Sequence, residues 1–146
     1  DDSSAKGVET WVFGEPLEPS LIALAIEENG GGVTGEARTQ AALETAQNIT
    51  GDIFRETQLG YSKALADTVQ QELIQVTASE DRGVKQNAWY VIRHARSPAI
   101  LVELGFATHP DEGVRLTQET YQSTLAQALA QGIMRFLAEG GFTASR

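Results

Sequence analysis

Between Gly7 and Phe13 (GVETWVF) apolar and polar positions alternate among β-branched and aromatic residues, which predicts a strand. Gly14, Pro16 and Pro19 end it. From Ser20, as N-cap, the run LIALAIEEN predicts a short helix stopped by Gly30, Gly31 and Gly32. Thr34 to Ile49 is rich in alanine and poor in large apolar side chains, which predicts an exposed, loosely packed helix. Gly51 breaks that segment, and Asp52 is placed to cap the next. Ile53, Phe54, Tyr61, Leu65, Val69, Leu73 and Val76 then recur near every fourth residue, the amphipathic pattern being clearest from Ser62 onward.

Ser79 to Asn87 (SEDRGVKQN) reads as a polar loop around Gly83. Ala88 to Arg93 (AWYVIR) reads as a strand, HARSP as a turn, and Pro98 opens a second strand, PAILVEL. Its continuous apolar run is the mark of a strand covered on both faces. Thr108, with Asp111 three residues later and Pro110 between, has the form of a helix start. Tyr121, Leu125, Leu129, Ile133, Phe136 and Leu137 predict a final helix, ended by Gly140 and Gly141. Strands alternating with helices mean an α/β fold, with a mixed or mostly parallel sheet flanked by helices. About three strands with four to five helices make a thin sheet with bare edges, as expected of an incomplete domain.

Composition narrows the function classes. The chain has 146 residues, 41% of them hydrophobic and 21% charged, enough for a real core. Its formal net charge is -9, which gives no basic footprint for a nucleic acid and no attraction to an anionic membrane surface. The absence of cysteine removes disulfides, thiolate zinc sites and cysteine nucleophiles. No apolar run approaches the roughly 20 residues that span a bilayer.

The residue that stands out chemically is Glu103, near the end of the apolar strand Ile100-Leu101-Val102-Glu103-Leu104. Glutamate is rarely buried unless paired, and burial raises a carboxyl toward the range that suits a general base or acid. Strand C-termini are also where open α/β sheets place their sites. The alternative is a Glu103 that points outward, or that pairs with Arg93 or Arg96 as a structural ion pair. His94 and His109 are too far apart for a recognised zinc spacing; His94 reads as a surface residue and His109 as part of a helix start. No nucleophile elbow is present. Trp11, Trp89 and Tyr90 read mainly as core aromatics.

Four stretches, in this order, resemble the zinc-dependent N-acetylmuramoyl-L-alanine amidases: GVETWVF (7–13), SKALADTVQQEL (62–73), DRGVKQNAWYVIRHARSPAILVELGFATHPDE (81–112) and YQSTLAQALAQGI (121–133). The resemblance implies a peptidoglycan hydrolase. In that family two histidines and a glutamate hold one zinc, which polarises the amide and lowers the pKa of bound water. A second glutamate, matching Glu103, moves the proton from water to the leaving amine. The family's zinc ligands precede the Gly-Val-Glu-Thr strand, and Asp1 to Lys6 contain no histidine. The expectation is therefore that the ligands lie upstream of residue 1, that this chain alone is inactive, and that activity belongs to the intact protein.

The resemblance also implies a C-terminal portion of a catalytic domain over residues 1–140, a variable and mainly helical insert at 15–60, and a tail at 141–146. Arg82, Lys85 and Gln86 fall in the matched loop and either line the substrate groove or are solvated. In some members the variable segment carries a helix that plugs the zinc site until an activator removes it; Glu27, Glu28, Glu36 or Glu44 is the candidate here, against a plain surface helix. Location in the cell envelope, periplasmic or secreted, follows from the same resemblance. The bare edge of the incomplete sheet carries the further expectation of a tendency to associate or to dock a partner chain. The competing possibility is a non-catalytic wall-binding or interaction module that reuses the fold.

Overall fold

The computed structural model describes residues 3–16, 18–49 and 52–140. In chain order they form β1 (Val8–Phe13), α1 (Ser20–Glu28), α2 (Gly32–Gln47), α3 (Ile53–Thr77), β2 (Asp81–Asn87), a short 3₁₀ turn (Tyr90–Ile92), β3 (Leu101–Glu103), α4 (Pro110–Leu116) and α5 (Glu119–Ala138). The strands make a mixed sheet in the order β2-β1-β3, with β1 in the middle and buried along its whole length. The α/β class is the expected one. One of the three strands is not.

That strand is β2, where the polar composition predicted a loop. Its long side chains are half-buried, with apolar stems covered and polar ends reaching partners. Flanking backbone bonds continue the ladder, from Val8 N–H to the Glu80 carbonyl (2.9 Å) and from Gly14 N–H to the Asn87 carbonyl (3.2 Å). Conversely, Ala88–Arg93 is not a strand. Ala88 and Trp89 are buried and the chain then turns, because Asn29 takes the backbone groups a strand neighbour would have taken. Its amide nitrogen donates to the Ala88 carbonyl (3.2 Å), and its amide oxygen accepts from Tyr90 N–H (3.0 Å). The second expected strand shrinks to Leu101–Glu103, half-buried as suits an edge strand and not covered on both faces.

The described residues divide into two compact units. The first comprises those within Asp1–Thr10, Ala64–Val84 and Val102–Arg146. In it α5 lies against the second half of α3. A Cβ on Gly132 would stand 2.8 Å from Val69 Cα, so the two backbones touch and only glycine fits. The buried stripe of α5 is Leu125, Ala128, Gly132 and Phe136, while the expected Ile133 and Leu137 are 44% and 47% exposed. Small residues at the contact turn the helix away from the larger ones, since close approach buries more surface. Helix α4 starts differently from expectation too. Its N-cap is His109, whose Nδ1 accepts from the Asp111 and Glu112 N–H groups (3.3 and 3.4 Å), and not Thr108.

The second unit comprises the described residues within Trp11–Lys63 and Lys85–Leu101. Phe13, Ala42, Ala46, Ile49 and Ala88 form its core, with Leu43, Leu59 and Ile92 packed against them. Trp11 and Trp89 meet edge to face at 5.0 Å. Helix α2 is therefore not loosely packed. Its small residues Gly35, Thr39, Ala42 and Ala46 are the buried ones. Asp52 does cap α3, its Oδ1 accepting from Phe54 and Arg55 N–H (3.1 and 3.3 Å). Ile53 and Phe54, expected on the apolar face, instead stand in solvent at 76% and 90% exposure. Gly51 and the tail at 141–146 lie outside the described residues.

Candidate active site

The first unit gathers the carboxylates that matter. Glu103 closes β3 and is half-buried. On the middle strand Glu9 is only 3% exposed, and an unpaired carboxylate there would be costly. Its partner is Arg82 on β2, whose Nε donates to Glu9 Oε2 at 2.6 Å. The Arg82 guanidinium also lies over the Phe106 ring, 4.9 Å from its centre. The hydrogen bond to Glu9 raises the Arg82 pKa further above its already high ordinary value, burial opposing it and the charges of Glu9, Glu80 and Glu103 adding to it. Arg82 thus keeps its charge at every pH of interest, and Glu103 lies within its field.

A second buried carboxylate fixes the loops around this row. Glu112, in the first turn of α4, accepts from Gly7 N–H through Oε1 (2.8 Å) and from Phe106 N–H through Oε2 (2.9 Å). Gly7 immediately precedes β1, and Phe106 follows Glu103 by three residues. One side chain therefore ties the start of the strand carrying Glu9 to the turn after the strand carrying Glu103. Gly7 is at φ +108°, and a Cβ there would come within 2.5 Å of the Glu80 carbonyl oxygen, so the entry to β1 requires glycine. What this arrangement offers chemically is a half-buried carboxylate at the end of β3, of a type able to accept a proton and to return it.

Of the residues singled out from the sequence, Arg82 and Glu103 lie in the first unit, on the two strands that flank β1. Lys85 and Gln86 belong to the second unit and are engaged there. Lys85 Nζ lies 5.2 Å from the Trp11 ring centre, and Gln86 Nε2 donates to the Glu15 carbonyl (2.7 Å). Arg93 stacks on Tyr90 at 3.3 Å and donates to its carbonyl, while Arg96 is exposed. His94 is exposed on a cleft of about 430 Å³ that Phe54, Arg55 and Arg96 also line. Among the described residues no group of three histidine, cysteine, aspartate or glutamate side chains is placed to hold a metal. Glu27, Glu28, Glu36 and Glu44 all face solvent on α1 and α2. Sequence reasoning missed Glu9 and Glu112. For Glu9 the signal existed, since it is a carboxylate inside a run that reads as a buried strand, as Glu103 is.

Arg82, Glu9 and Glu103 thus come one from each strand of an open α/β sheet. Residues 1–135 match the family model of N-acetylmuramoyl-L-alanine amidase, and the chain belongs to that family. It is 37% identical over 79 residues to the N-acetylmuramoyl-L-alanine amidase LytC of Bacillus subtilis, a stretch covering 54% of this chain and 16% of LytC. Among solved structures it is similar to an N-acetylmuramoyl-L-alanine amidase from Clostridium difficile 630, with 26% identity and a TM-score of 0.59. That match covers 94% of this chain and 51% of the other. The CwlD amidase from Clostridioides difficile, solved in complex with the GerS lipoprotein, shares the fold at 23% identity and a TM-score of 0.59, over 95% of this chain and 50% of that one. The chain thus spans about half the length of these solved relatives.

Proposed function

We propose that the protein to which these residues belong hydrolyses the amide bond between N-acetylmuramic acid and L-alanine in peptidoglycan, with Glu103 as the group that takes a proton from the attacking water and delivers it to the leaving amine. The observation that carries the proposal is the carboxylate at the end of β3, in the Arg82–Glu9 row, within the segment matched by the amidase family. The family's zinc does not fit the described residues, which offer no three-ligand group. We assign zinc ligation to residues outside them and activity to the whole protein. An envelope location and an envelope partner belong to the same proposal, supported by relatives named as cell wall amidases and by the CwlD–GerS complex. No helix among the described residues is long and apolar enough to cross a membrane.

The test is release of peptide from purified peptidoglycan by the full-length protein and by this chain, with bound zinc measured on both. Glu103→Gln is expected to abolish release by the full-length protein while leaving its zinc content unchanged. Full activity of that variant would overturn the assignment. Stoichiometric zinc and peptide release by this chain alone would overturn the division of labour.

A further inference from the structure

We infer that the cleft between the first turn of α3 and the turn at residues 94–96 binds an oxyanion, a carboxylate or a phosphate group, carried on a molecule with an apolar face. The site lies wholly in the second unit and owes nothing to the role assigned to Glu103.

Phe54, Arg55, Gln58, His94, Ala95 and Arg96 line the cleft, and its volume of about 430 Å³ falls in the range of small-molecule sites, about 300–1,000 Å³. No carboxylate is among the described residues that line it. The chain carries a net charge of -9, so its overall field disfavours anions, and any anion it binds must be held by cations gathered locally. Here two guanidinium groups and an imidazole line one space. The carboxylate paired with Arg55 is Asp52, whose Oδ2 stands 4.0 Å from Nε, beyond hydrogen-bond reach. Arg96 and His94 are exposed and enter no ion pair among the described residues.

Both walls are held in place by the protein itself. Asp52 Oδ1 accepts from the Phe54 and Arg55 N–H groups (3.1 and 3.3 Å), which fixes the backbone of the first turn of α3. Gln58 Nε2 donates to the opposite wall, to the Ala95 carbonyl (2.7 Å) and the Ser97 carbonyl (2.8 Å). The carbonyls on either side of Arg96 are thus tied to α3. A ligand that meets a turn already ordered loses less in ordering it.

Phe54 defines the other half of the ligand's chemistry. Its ring is 90% exposed, so it adds little to folding, yet it lines the same cleft as the arginines. An inorganic anion has no use for such a ring. An anion on an apolar body covers it while the guanidinium forks hold the oxygens.

The test is titration of the ¹⁵N-labelled full-length protein, followed through its amide resonances, with inorganic phosphate, phenyl phosphate and benzoate. Saturable shifts are expected at Phe54, Arg55 and residues 94–97, with a dissociation constant of about 1 mM for the tighter of the two ring compounds. Inorganic phosphate should bind about fivefold more weakly than phenyl phosphate, and Phe54→Ala should erase that difference. Arg55→Gln and Arg96→Gln should each weaken the tighter compound about tenfold. Arg135→Gln, which removes a charge from α5 in the first unit, should leave it within about twofold of wild type.

Tighter binding of benzoate marks the natural ligand as a carboxylate, and tighter binding of phenyl phosphate marks it as a phosphate; either supports the site. Shifts that grow without saturating and spread over the surface overturn it. So does wild-type affinity in both cleft arginine variants, or equal weakening by Arg135→Gln. Unchanged resonances away from the cleft show that each variant is folded, and should an arginine variant not fold, an unaltered phosphate preference in Phe54→Ala overturns the apolar half of the assignment.

Discussion

Glu112→Gln changes one atom type at the point where a single carboxylate holds two backbone N–H groups, those of Gly7 and Phe106 at 2.8 and 2.9 Å. The side chain is buried, so water does not readily replace what is lost. Each bond from a neutral donor to a charged acceptor contributes about 1.5–3 kcal/mol, and a buried donor left unmade costs a similar amount. A glutamine can accept one of the two through its carbonyl oxygen, but it turns an NH₂ toward the other. We expect a loss of about 2 kcal/mol for Gln and about 4 kcal/mol for Glu112→Ala, which satisfies neither donor. In urea unfolding of this chain, followed by far-ultraviolet circular dichroism, the Gln variant should lower the midpoint by about 1 M. Hydrogen exchange should localise the loss to the Gly7 and Phe106 amides. A Gln variant within about 0.5 kcal/mol of wild type, with both amides still protected, would refute the account of Glu112 as the tie between the two strands.

Other substitutions test the packing and the turn. Gly132→Val places atoms against the Val69 backbone and should cost about 3 kcal/mol, read as a drop in thermal midpoint; a neutral result would mean that α3 and α5 do not touch there. Asn29→Ala removes the side chain that holds the Ala88 carbonyl, the Tyr90 N–H and Thr39, at an expected cost of about 3 kcal/mol. Exchange protection at Tyr90 should fall with it, and unchanged protection would show that the turn is held by other contacts. The outer edges of β2 and β3 have no strand neighbour among the described residues, so the chain is expected to self-associate in a concentration-dependent way. Light scattering that gives a monomer mass at every concentration would remove that expectation.

What could be read from the sequence divides along a physical line. Elements whose side chains meet apolar neighbours announce themselves: β1, the second half of α3 and α5 all lie where the periodicity puts them. Failures occur where polar groups answer polar groups far away in the chain. Asp81–Asn87 is a strand because Arg82 finds Glu9 and its backbone finds β1, and neither partner leaves a mark on local hydropathy. Ala88–Arg93 has the alternation of a strand, yet Asn29, 61 residues from Tyr90, turns it. Glu103 was visible for the opposite reason, since a charge amid aliphatic residues is locally anomalous. The same test applied to Glu9 would have marked it, because GVETWVF is also an apolar strand with a carboxylate inside. Glu112 could not have been found that way: an acid in a first helical turn already has an ordinary explanation in the helix dipole. Only its two long-range hydrogen bonds separate it from such residues. Glu103 and Glu9 are thus legible from their neighbours in sequence, while the tie that Glu112 makes is legible only from its neighbours in space.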